Sequence, residues 1–136
     1  MSNNEKMFSI PFHCSREQFY SRKEIYKKCL ETCNKAIKLN SNSSEAYLNR
    51  GWVYYLMKKY DKSIINFNKA IELNPNSDIA YRNRGHLYFL KKEYDKSLAD
   101  INKAIELNPN LNVDYYNREH LYSLKKEYDT SLIFKK

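Results

Sequence analysis

His13, Cys14, Cys29 and Cys33 supply the residue types of a Cys3His zinc site. Their placement argues against one: adjacent His13 and Cys14 would point about 100° apart on a helix. Three cysteines, two of them four positions apart, do not form a disulfide framework either, so buried structural thiols in a reducing compartment are expected. No Ser/His/Asp arrangement, HExxH pair, phosphate-binding loop or GxGxxG string occurs. The chain therefore offers no catalytic residues, and neither enzymatic activity, a metal nor a cofactor is expected. What remains is hydrogen bonding and aromatic contact. Asn49, Asn83 and Asn117 recur 34 residues apart. Asparagine is a modest helix former, but its amide donates and accepts at once, which suits the backbone of an extended peptide.

A repeat positions these asparagines. EAYLNRGWVYYLMKKYDKSIINFNKAIELNPN overlies DIAYRNRGHLYFLKKEYDKSLADINKAIELNPN at a shift of 34, carrying Tyr47 onto Tyr81 and Tyr115, Gly51 onto Gly85, and Ala70 onto Ala104. Downstream, NVDYYNREHLYSLKKEYDTSLIFKK is a third, truncated copy. Upstream, Tyr20, Tyr26, Ala36 and NKAIKLN mark a degenerate one. The copies cover about residues 10–43, 44–77, 78–111 and 112–136, preceded by a flexible N-terminus at 1–9. In this register Cys29 and Cys33 take the places of Ser63 and Phe67.

Within a copy, Tyr47, Gly51 and Tyr54, then Ile64, Phe67, Ala70 and Ile71, fall at intervals of three and four and define two short helices. Ser44, Asp78 and Asn112 are expected to cap the first helix, while Asp61, Asp95 and Asp129 suit the positive dipole end of the second. Asn-Pro at 74–75 and 108–109 ends it. Gly51 and Gly85 are expected to let the paired helices approach opposite Ser63 and Ser97. Glu119 and Glu17 stand at the glycine register of the outer copies, so looser hairpins are expected there. The last helix, from Asp129, is below the roughly 12–15 residues of a marginal isolated helix and must dock or fray.

This order of aromatic, Gly, Tyr, small residue, Ala and Pro over 34 residues resembles the tetratricopeptide repeat (TPR) family. The resemblance implies an all-α fold: a right-handed α-solenoid of antiparallel helix pairs, with two clean repeats flanked by a degenerate N-terminal and a truncated C-terminal one. It also implies first helices lining a concave groove, in some members with an asparagine ladder. Asn49, Asn83, Asn117, Trp52, Arg82, His86, Tyr116 and His120 then form the candidate peptide-binding set. Arg50, Arg84 and Arg118 are expected to pack between helices. The lysine and asparagine signature of family members that grip Hsp70 or Hsp90 C-termini is not reproduced, since the matching first-repeat sites hold Leu48 and Trp52.

The expected function is a protein-protein interaction scaffold or adaptor that takes an extended segment of a partner protein or peptide. Net charge +8 favours an acidic partner, although lysine on exposed helix faces is ordinary solvated surface. Two alternatives are nucleic-acid binding through the basic surface, the lesser reading because the 13 tyrosines are mostly register positions, and self-assembly through Leu132, Ile133 and Phe134. A monomer or weak homo-oligomer is expected. No segment reaches the roughly 18 consecutive apolar residues of a membrane span, and MSNNEKMFSIPF lacks the form of a signal peptide, so a cytoplasmic location without membrane association is expected.

Overall fold

Apolar intervals of three and four residues produce helices throughout. The computed structural model describes residues 21–135, and among these every regular element is helical: α1 (Arg22–Leu39), α2 (Ser44–Leu56), α3 (Tyr60–Leu73), α4 (Asp78–Leu90), α5 (Tyr94–Leu107) and α6 (Asn112–Phe134). They fall into two compact units, Met1–Pro75 and Asn76–Lys136.

In the first unit, α2 and α3 form a hairpin and α1 packs on α2. The α2–α3 turn is closed by Lys58 N–H to Tyr55 O and Lys59 N–H to Tyr54 O, both 2.9 Å, with Lys58 at φ 58°. This is a Schellman motif, with lysine at the left-handed position that glycine usually fills. The strain, about 1–2 kcal/mol, is offset by what the turn brings together. Ser63 Oγ donates to Gly51 O at 2.6 Å. A Cβ at Gly51 would lie 2.9 Å from the Phe67 ring, so the expected close approach is present. Trp52, Val53, Phe67 and Ala70 are buried around it. Cys29 and Cys33 are buried on α1. Cys33 is a free thiol whose pKa burial pushes up. His13 and Cys14 lie outside the described residues.

The second unit repeats the hairpin in α4 and α5. Lys92 stands at φ 60°, Ser97 Oγ donates to Gly85 O at 2.7 Å, and Leu87, Ile101 and Ala104 are buried. Then it departs from expectation. The third copy does not turn: α6 is one helix of 23 residues, and Asp129 lies inside it rather than at the start of a second helix. Leu90-Lys-Lys-Glu-Tyr-Asp95 turns, whereas the identical Leu124-Lys-Lys-Glu-Tyr-Asp129 continues as helix. In the third copy Glu119 replaces the glycine and Lys135 takes the register of Phe67 and Ile101. A turn there would incur the left-handed strain without gaining a core, so helical continuation prevails.

The caps sit one residue earlier than expected. Ser43 and Ser77 accept from Ala46 N–H and Ala80 N–H, and no side chain caps α6 at Leu111. Ser44 Oγ instead donates to Ala70 O across the hairpin at 2.9 Å, and Asp78 pairs with Arg82. Asp61 and Asp95 do stand in the first turns of α3 and α5.

Candidate functional site

The candidate residues lie on the first helices, α2 and α4, and on α6. In the first unit, Asn49 is half-buried. Trp52 is buried and stacks on Tyr55 with ring centroids 4.7 Å apart, and Tyr55 in turn meets Tyr60 at 6.1 Å. The second unit carries the same register as His86, Phe89 and Tyr94, at 6.1 and 6.3 Å. Each hairpin therefore runs a short aromatic row from its first helix to the start of its second. Tyr60 and Tyr94, which close the two rows, were not among the expected site residues. Their recurrence before Asp61 and Asp95 was the available signal.

Asn83 is 7% exposed, and its Nδ2 has no hydrogen-bond partner among the described residues. Leaving a buried amide donor unmatched costs about 1–3 kcal/mol. Asn117, in the same register on α6, is exposed. Arg82 is placed differently from what a peptide contact requires. It is 3% exposed and sends two bonds of 2.6 Å to the fully buried Asp114, with Asp78 at 3.0 Å. Burial opposes its charge, but the bonds to Asp114 and Asp78 outweigh that and raise its pKa. Arg82 is thus committed to joining α4 to α6. Tyr116, at the same register, is 76% exposed.

The other arginine series packs between helices, as expected. Arg84 grips Asp100 through two bonds of 2.7 and 2.8 Å, Arg50 donates to Asn66 and Asn34, and Arg118 donates to Asn102. Each guanidinium also lies over the tyrosine three residues earlier, Tyr47, Tyr81 or Tyr115, at 5.2–5.6 Å, a contact worth about 0.5–1 kcal/mol at exposed sites.

Three candidates do converge. His86, Asn117 and His120 line one cavity of about 110 Å³ with Phe89, Ile101 and Leu121, drawn from α4, α5 and α6. Phe89 faces both imidazoles, 6.1 Å from His86 and 5.8 Å from His120. Burial lowers the His86 pKa below its ordinary value and favours the neutral ring. The cavity has polar rims and an apolar wall, the make-up of a small-group binding pocket.

The tetratricopeptide repeat profile matches residues 44–77 and 79–111, which hold the two hairpins with their left-handed lysines and glycine contacts. The chain belongs to the tetratricopeptide repeat family. Among solved TPR structures, the first TPR domain of human RPAP3 superposes with a TM-score of 0.74 at 20% identity, over 81% of this chain and 87% of that one. The first TPR of Spaghetti (RPAP3), bound to the HSP90 peptide SRMEEVD, gives 0.72 at 20% identity over 77% and 83%. MamA gives 0.71 at 24% identity, over 81% of this chain and 60% of that one. No curated protein matches the chain in sequence. At these identities the TPR likeness is one of fold, and α1 and α6 lie outside the profile match. Among the described residues, no helix is long and apolar enough to cross a membrane.

Proposed function

We propose that this TPR protein is a non-enzymatic scaffold that binds an extended segment of a partner protein through the asparagine, aromatic and histidine side chains of its first-helix register. The observation that carries this is the open cavity that the first-helix residues His86, Asn117 and His120 line together, with the amide of Asn117 exposed at its edge. An extended chain supplies carbonyls at about 3.3 Å per residue and could satisfy such donors in sequence. Structural neighbours that hold HSP90 or HSP70 peptides support peptide binding as a use of the fold. Acidic C-terminal tails are not the proposed ligand, because Leu48 and Trp52 stand where a carboxylate grip would need lysine and asparagine. Of the eight candidate residues, Arg82 is left out of the proposed contacts because its guanidinium is engaged by Asp114 and Asp78.

Selection from a displayed library of unstructured peptides tests this. The wild-type chain should enrich a common extended motif, and Asn49→Ala/Asn83→Ala/Asn117→Ala should lose that enrichment while its circular dichroism stays helical. Equal enrichment by both would remove the asparagines from the mechanism. Binding that collapses steeply with added salt regardless of peptide sequence would instead favour the basic surface, since counterion release governs such contacts.

A further inference from the structure

The cavity among α4, α5 and α6 is specific enough to name its occupant. Its liners are His86, Phe89, Ile101, Asn117, His120 and Leu121, together with Ser97, and none of them is Lys, Arg, Asp or Glu. Ser97 spends its hydroxyl on Gly85 O. The floor is buried and apolar at Ile101 and Leu121, while Asn117 and His120 are exposed and form an open rim. A carboxylate entering here would be desolvated with no cation to meet it, which is strongly unfavourable. An apolar group would leave water for an apolar wall at no such cost. Size narrows the choice: cavities of about 150 Å³ accept benzene, so about 110 Å³ suits one side chain of Leu or Met size and is too small for an indole.

We propose that this cavity is an anchor pocket for one uncharged aliphatic side chain of the Leu, Ile or Met class, with the Asn117 amide at the rim available to the ligand's own backbone. The pocket belongs to α4, α5 and α6 and recruits α6 into recognition, a helix whose sequence departs from the clean repeats. The inference rests on the scaffold reading and narrows its partner to a segment whose anchoring residue is aliphatic.

Two-dimensional NMR on the isotope-labelled full chain tests it, with N-acetyl-leucine methylamide and N-acetyl-aspartate methylamide as probes. The leucine probe should give saturable shifts confined to the Leu121 and Ile101 methyls, the Asn117 amide and the His86 and His120 rings. The aspartate probe should bind at least about tenfold more weakly, the minimum expected from burying an unpaired carboxylate. Asn117→Trp, a change at an exposed rim position that fills the opening, should abolish the leucine shifts without altering the helical spectrum. His120→Trp provides the same test from the other side of the rim. Equal shifts from both probes, shifts scattered over the surface, or binding untouched by both rim variants would overturn the pocket. Peptide selection separates the two levels. Peptides enriched without an aliphatic anchor would sink the pocket and leave the scaffold standing, whereas saturable leucine binding with no peptide enriched would do the reverse.

Discussion

At the scale of single residues, arginines of adjacent register have different tasks, and burial tells them apart. Arg82 and Asp114 form a bidentate pair at 3% and 0% exposure, with Asp78 and Asn108 completing the cluster. Sequence spacing offered only half of this: Asp78 precedes Arg82 by four, the helical ion-pair interval, but Asp114 is 32 residues away. The first-helix register alone places Arg82 with the peptide-binding set. Removing one partner of a buried pair strands the other charge and costs about 3–5 kcal/mol. Asp114→Ala is expected to lower the unfolding free energy measured by urea denaturation by that order, while Arg82→Met/Asp114→Leu, which removes both charges and restores bulk, should recover most of the loss. A single mutant within about 1 kcal/mol of wild type would show that the pair contributes little to the docking of α6 on α4, since even a median surface pair reaches only that range.

At the scale of elements, one six-residue string adopts two conformations. Lys58 and Lys92 carry positive φ in the hairpin turns, whereas Lys126 at the same register lies in mid-helix. One substitution should consequently have opposite signs at equivalent positions. Lys92→Gly and Lys58→Gly relieve left-handed strain and are expected to stabilise by about 1 kcal/mol. Lys126→Gly puts glycine into a helix and is expected to destabilise α6 by up to about 1 kcal/mol. Thermal melts of the three single variants would check this, and a gain at Lys126 would mean that the third copy turns after all. The hairpins were legible because glycine, serine and alanine recur at contact positions whose partners recur with them. The missing turn was less so, because its local sequence is unchanged. Only the lost glycine and Lys135 in the Phe67 register signal that nothing stands opposite. The caps were misplaced for a related reason: Ser43 and Ser44 are equally able to cap, and it is the Ala70 carbonyl across the hairpin that engages Ser44.

At the scale of the molecule, the 34-residue period made the helix pairs and the aromatic register readable, but not which register positions would be open. Asn49, Asn83 and Asn117 are equivalent in sequence yet half-buried, buried and exposed in the fold. The same inequality should govern local stability. Repeat folds add stability through nearest-neighbour contacts, and here the buried apolar side chains concentrate in α2 to α5, while α6 has no buried residue after Leu121. Native-state hydrogen exchange is expected to find the α3 and α5 amides opening only with global unfolding, and those from about Lys126 to Phe134 opening locally at far lower free energy. Asp114→Ala should then reduce protection in α5 and leave the tail unchanged, since the tail opens without it. Protein concentration decides the remaining question. The exposed Leu132, Ile133 and Phe134 would gain protection on concentration only if a second copy covered them, so strong, concentration-dependent protection there would favour self-assembly, whereas concentration-independent fraying leaves α6 free to present its half of the pocket to a partner.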